Sequence, residues 1–321
     1  MRRIELAEVR DTGQTIGDAI LFARQNLKII NRAFLYYLVP LLLVGAAFSA
    51  FGFKGIFGSL NRSQYGQYGS TVTDHHSLMG SGLMLGAGYI IFIVASVIQN
   101  VYVCEFMILY ERNNESTLAD IWSAIRKDWK RILATYLVML PLGLTAFLVY
   151  FLIGWMADNY DRSVAGLVAL VFLILLLYTI IPLSNLMMVR LRERLGIFQS
   201  IAKSFRITAG RWWSTFFSYF IMMIVYYSFM VILVLPFYVI TLASALHGRG
   251  MGQTGSIGGL MGVYLTLVGF WVVYLWHLFY IYLGTNYYSL SERYDNYHLR
   301  EEIMMIGAKD TQPVQRQEGD Y

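Results

Sequence analysis

Charge is scarce in this chain: Asp, Glu, Lys and Arg make up 14% of its 321 residues, against about 25% in an average soluble domain. With 57% hydrophobic residues and a mean hydropathy of +0.52, a water-soluble globular fold is excluded. Cysteine is reduced to Cys104, which excludes an intramolecular disulfide and any cysteine-built zinc or iron centre. No Gly-x-Ser-x-Gly elbow or comparable nucleophile signature occurs. The glycine-rich stretch 248–259 lacks the Gly-Lys-Ser/Thr ending of a phosphate loop and follows no strand. The first 31 residues contain no apolar core and no small-residue cleavage site, so no signal peptide is expected and the first span directs insertion.

What fills the chain instead is apolar sequence. Six stretches, 33–53, 83–109, 132–155, 164–189, 212–246 and 257–288, each exceed the ~20 residues that a spanning helix needs. They are continuous apolar runs, unlike the alternating ~10-residue strands of a membrane barrel. The fold class expected is therefore an all-α, polytopic membrane protein with six transmembrane helices. The fifth stretch, 35 residues, is about 52 Å long as a helix and must tilt, bend at Pro236 or begin in the interface. Its Trp212-Trp213 start suits headgroup level.

The few cations are unevenly placed. The N-terminus and the second, fourth and last connections hold 21 of the 25 Lys and Arg, while Lys54, Arg62, Arg162 and Arg249 fall on the other side. The positive-inside rule then sets both termini in the cytoplasm. The net charge of +5 and pI near 9.1 become a signal of topology, and nucleic acid is not an expected partner.

A repeat runs through the pattern. The even-numbered spans end in Tyr110-Glu111-Arg112, Arg192-Glu193-Arg194 and Ser291-Glu292-Arg293, and the odd-numbered ones carry Pro40, Pro141 and Pro236. At a constant offset of 102, Thr15, Asp18, Arg24 and Lys28 match Thr117, Asp120, Arg126 and Lys130. Both segments read as short amphipathic interface helices with Thr15 and Thr117 as N-caps. One stripe is Ile16, Ile20, Ala23 and Leu27; the other is Leu118, Ile121, Ile125 and Trp129. Ile197, Ile201 and Phe205 repeat the spacing before the fifth span. Three tandem units are expected, 15–112, 116–194 and 196–293, within one membrane domain 1–307, followed by a disordered cytoplasmic tail 308–321. Leu299, Ile303 and Ile306 suggest a further short helix ahead of that tail.

The opening run from Ile16-Gly17-Asp18-Ala19 through Phe22-Ala23-Arg24-Gln25-Asn26-Leu27-Lys28, with the closing Tyr287-Tyr288-Ser289-Leu290-Ser291-Glu292-Arg293 and residues 303–307, resembles a family of uncharacterised six-span bacterial membrane proteins. More distantly it is similar to the membrane domain fused to some glycerophosphodiester phosphodiesterases. The resemblance implies a bacterial inner-membrane location and carries no catalytic residue over. The phosphodiesterase's soluble catalytic part has no counterpart in this chain.

Polar groups inside spans are the candidates for function, because lipid makes them costly: Gln99, Asn100, Glu105, Asn185 and Asn286. They either line a hydrated pocket open to the cytoplasm, with Glu105 as a proton or cation site, or bond between helices. Glu105 lies about 9 Å of helical rise from Glu111, near enough to the interface for water to reach it. His277 lacks a second ligand at i+3 or i+4 and reads as a packed histidine of an aromatic belt; Asp74-His75-His76 reads as a solvated loop. Gly82-x-x-x-Gly86 and Gly258-x-x-x-Gly262 open the second and sixth spans and suit close helix packing. Arg24, Lys28, Arg126, Lys127, Lys130, Lys203 and Arg206 form a basic collar for anionic headgroups. No cofactor or metal is expected; the expected partners are membrane lipids and other membrane proteins. The sequence favours a non-enzymatic scaffold, subunit or lipid-organising component. A transporter or channel for a small or lipidic solute is the alternative, and a lipid-modifying membrane enzyme the third reading.

Overall fold

The computed structural model describes residues 4–64, 71–112, 116–160, 162–246 and 255–295, together with residue 303. Among these the secondary structure is helical throughout: α1 (Thr12–Gln25), α2 (Leu27–Ala33), a π turn (Phe34–Leu38), α3 (Val39–Gln64), α4 (Thr71–Arg112), α5 (Leu118–Asn159), α6 (Arg162–Ser184), α7 (Leu186–Glu193), α8 (Ile197–Ala209), α9 (Trp212–Leu246) and α10 (Gly255–Asp295). Six helical segments are long and apolar enough to cross a membrane: Leu27–Gly55, Leu78–Arg112, Leu118–Asn159, Arg162–Glu193, Trp212–Pro236 and Leu267–Asp295. Helix outlasts the apolar run in several of them because lipid demands a satisfied backbone and helix supplies it wherever no breaker intervenes.

Prolines and caps set the breaks. Pro40 cannot donate to the Tyr36 carbonyl four residues back, and the π turn just before it, closed by Val39 N–H on Phe34 O, absorbs the ring. Pro182 likewise frees the Tyr178 carbonyl, which accepts from Trp212 Nε1 at 3.4 Å. Helix resumes after Asn185, whose N–H reaches only Pro182 O at 3.2 Å, so the fourth span is α6 and α7 in series. Arg194 then turns left-handed (φ 56°) and separates α7 from α8.

The expected caps divide. Thr117 is the N-cap of α5 and shares a capping box with Asp120. Thr15 is not a cap: α1 starts three residues earlier, capped by Asp11 with Gln14, and the Thr15 hydroxyl bonds back to Asp11 O at 2.7 Å. A separate interface helix before the third span is also not found, because nothing between Leu118 and Asn159 breaks the 42-residue α5.

The packed core joins α1, α3, α4, α7 and α10, with α9 against α10. Helix α1 buries Thr15, Ala19 and Phe22, a stripe offset from the expected one; Ile20 and Leu27 point outward. Phe22 docks between Phe106 and Tyr110 of α4, with ring centroids at 5.7 and 4.9 Å. In α8 the buried residues are Ser200, Ser204, Ile207 and Thr208, leaving Ile197, Ile201 and Phe205 half-buried.

Helices α3 and α4 make the most extensive pair. A Cβ on Gly52 would meet the Leu85 N and Ser81 O backbone atoms at 2.9 Å, and one on Gly88 the Gly45 O at 3.0 Å. The expected contact glycines, Gly82 and Gly86, have open space where a Cβ would go. Glycine packing is therefore real at this pair, but its register is Gly45, Gly52 and Gly88. The side chains of Asp74, His75 and His76 and of 255–263, with Gly258 and Gly262, lie outside the described residues, as do the tail 308–321 and 299–306 apart from Ile303, which is helical and exposed.

Candidate functional site

The Glu-Arg ends of the even spans converge. Glu111 closes α4, Arg192 and Glu193 close α7, and Tyr287, Tyr288 and Asp295 stand on the last turns of α10. Arg192 clasps Glu111 with both forks, Nη2 to Oε1 at 2.6 Å and Nε to Oε2 at 3.2 Å, the bidentate geometry that guanidinium and carboxylate share. Its guanidinium lies over Tyr288 at 4.5 Å and near Tyr287 at 5.7 Å. Tyr288 donates its hydroxyl to Glu111 Oε2 and Tyr287 donates to Glu193 Oε1, each at 2.8 Å. Lys203 of α8 completes the chain, 2.8 Å from Glu193 Oε2 and 2.6 Å from Asp295 Oδ2.

This network crosses the expected units: the acid of the first end pairs with the arginine of the second, and the tyrosines of the third bond to both acids. Every charge in it is shielded yet opposed by another, so removing one member leaves a poorly solvated charge behind. Burial on its own would push the Lys203 ammonium down; its bonds to Asp295 and Glu193 outweigh that, and its pKa is raised. Lys203, expected to reach lipid headgroups, is instead committed to these carboxylates. Arg24, Lys28, Arg126, Lys127, Lys130 and Arg206 remain exposed, with Arg126 5.1 Å over the Trp122 ring and Lys130 5.8 Å over Trp129.

The intramembrane polar residues take separate roles. Gln99 Nε2 donates to Val273 O at 2.8 Å and lies 2.7 Å from His277 Nδ1. His277 is buried among Phe34, Tyr102 and Tyr274 at centroid distances of 5.4, 5.3 and 5.6 Å, so it belongs to the core and not to an interfacial belt. Asn100 bonds Tyr136 Oη at 3.3 Å and accepts from Cys104 Sγ at 3.3 Å. Glu105, expected near water, is 4% exposed. Among the described residues Glu105 Oε1, both amide atoms of Asn185 and Asn286 Nδ2 have no hydrogen-bond partner. Such orphans are rare in folded proteins.

Asn286 lines a crevice with Arg10, Asp11, Thr12, Thr15, Arg211 and others, on which Gln99, Asn100, Glu105 and Asn185 do not border. In the sequence Arg10 is only one of the N-terminal cations that set topology. It is buried, with Nε on Asp18 Oδ2 at 2.6 Å and Nη1 on Leu6 O at 2.8 Å, and Nη2 also reaches Glu5 O. Arg10 and Ser289 are joined twice through backbone, Arg10 N to Ser289 Oγ at 2.9 Å and Ser289 Oγ to Arg10 O at 3.2 Å. No local pattern linked residues 279 positions apart.

No family model matches this chain, and neither does any curated protein or solved structure.

Proposed function

We propose that this chain is a non-enzymatic multi-pass protein of a bacterial inner membrane, with both termini in the cytoplasm, that acts as a scaffold or subunit and organises anionic lipid at its basic end. The observation that carries the reading is the outer half of α5. Between residues 141 and 159 no side chain is buried, and Phe147, Leu148, Tyr150 and Phe151 are each more than half exposed. A spanning helix normally buries one stripe against its own bundle; here the α5–α6 hairpin reaches past the core and offers its faces to whatever lies beside it in the bilayer. Association in lipid rests on packing and close approach, and Gly143 and Gly154 leave open surface on that hairpin.

The exposed Arg24, Lys28, Arg126, Lys127 and Lys130 support the lipid part of the reading, at about 1 kcal/mol per basic residue near an anionic surface. We read the three Glu-Arg ends as the joints of three repeated units. A transporter reading would need the intramembrane polar groups around one path; Asn286 lines a crevice on which the other four do not border.

A photo-crosslinking residue placed at Phe151, with a buried control at Tyr282, tests this in cells. Partner adducts from the α5 position and not from the control are expected. Extraction in native-lipid discs followed by mass spectrometry should also recover enriched anionic lipid. A protein that isolates alone, with no adduct and no lipid enrichment, overturns the proposal.

A further inference from the structure

The crevice beside α1 carries a chemistry of its own, argued independently of the scaffold reading. Three elements meet there: the start of α1, the start of α9 and the last turns of α10. Its lining includes Arg211, Arg293, Asn286, Ser214, Thr215 and Ser218. The inner recess measures about 20 Å³, enough for one water-sized group.

Donors dominate this lining. Arg211 directly precedes α9, and Ser214 and Thr215 of the lining stand on that helix's first turn. The positive end of the helix dipole adds to the arginines in favouring an anion. Arg293 is held in place by one bond, Nη2 to Arg10 O at 3.1 Å, and among the described residues neither Arg211 nor Arg293 has a carboxylate in ion-pair range. Arg10 is different: Asp18 at 2.6 Å and Glu8 at 3.5 Å already neutralise it, so it shapes the wall and adds no free charge. The acid on the rim is Asp11, whose carboxylate is engaged by Gln14 N at 2.7 Å as the cap of α1.

Asn286 supplies the second, separate indication. It is 6% exposed, it lines the crevice, and its Nδ2 donor has no partner. A buried amide donor is costly to leave unbonded, and the space it borders is the one the two arginines flank. We propose that this crevice binds a phosphate oxyanion, with one oxygen in the recess against Asn286 and the remaining oxygens at the mouth against Arg211 and Arg293. The phosphate belongs either to a free anion or to the headgroup of a phospholipid, since Trp212 and Trp213 mark this rim as interfacial.

The test uses the full chain in nanodiscs, wild type beside Arg211→Gln, Arg211→Lys and Asn286→Asp. Arg211 is exposed, so the first two variants leave the fold intact; a melting curve checks the third. Inorganic phosphate titrated into phosphatidylcholine discs reads the free anion, and native mass spectrometry of discs containing phosphatidylglycerol reads the headgroup. Expected is saturable binding of at least one probe, weakened about tenfold in Arg211→Gln and Asn286→Asp and largely kept in Arg211→Lys. Loss confined to phosphate assigns a free anion; loss confined to the lipid assigns a headgroup. Binding unchanged in both weakened variants, or no saturable binding of either probe to the wild type, overturns the proposal.

Discussion

Arg192 and Glu111, 81 residues apart in sequence, face each other fork to fork, with Nη2 2.6 Å from Oε1 and Nε 3.2 Å from Oε2. The pair ties the end of α7 to the end of α4, and Tyr288 of α10 reaches the same carboxylate. Replacing Arg192 with Ala should destabilise the fold by about 3–5 kcal/mol, the cost of stranding a shielded partner. Tyr288→Phe should cost only about 1 kcal/mol. Unfolding in mild detergent, followed by tyrosine and tryptophan fluorescence, measures both. A loss under about 1 kcal/mol for Arg192→Ala would mean that water already solvates Glu111.

Glycine substitutions separate the expected register from the one that forms. Gly52→Ala must move the Leu85 and Ser81 backbone away from 2.9 Å and should cost about 1–3 kcal/mol, in the range of overpacked cores. Gly82→Ala meets open space and should stay within about 0.5 kcal/mol of wild type. Equal effects at the two sites would show that α3 and α4 cross elsewhere.

The two capped helix starts should respond alike. Asp11→Ala and Thr117→Ala each remove a side-chain acceptor from a first turn, at about 1 kcal/mol apiece. For Asp11 the loss concentrates in α1, so limited proteolysis near the N-terminus should accelerate while the spans stay protected. Unchanged cleavage would mean that Phe22 and its aromatic pocket hold α1 unaided.

Lys203 gives a pH dependence of definite sign. Its pKa is raised in the folded chain, so its stabilising contribution is complete below the unfolded value, about 10.4, and is lost as pH rises through the folded value. Melting temperature should therefore fall more steeply above pH ~10.4 in wild type than in Lys203→Met. Parallel alkaline slopes in the two proteins would place the ammonium outside the Glu193–Asp295 pocket.

Six helices of spanning length were readable because twenty apolar residues in a row admit few other fates. The cap at Thr117 was readable too, since its partner Asp120 lies three residues away. Thr15 misled for a reason that lies upstream: Asp11 and Gln14 offer the same reciprocal bonds one turn earlier, and the helix takes the first cap available. Lys203 looked like a headgroup ligand because its carboxylates come from the end of α7 and from Asp295, 92 residues on. The three Glu-Arg endings were visible as a repetition, yet repetition alone does not show that the acid of one copy takes the arginine of the next. Arg10 gave no local sign, since its role depends on where α10 passes.

The exposed second half of α5 bears on how selection acts on this protein. No side chain between residues 141 and 159 is buried, so substitutions on the exposed face should cost little stability as long as they remain soluble in lipid. A screen that reads only accumulation of folded protein would find that stretch nearly silent. Any constraint on the residues of its exposed face across relatives would then be a record of neighbours rather than of folding.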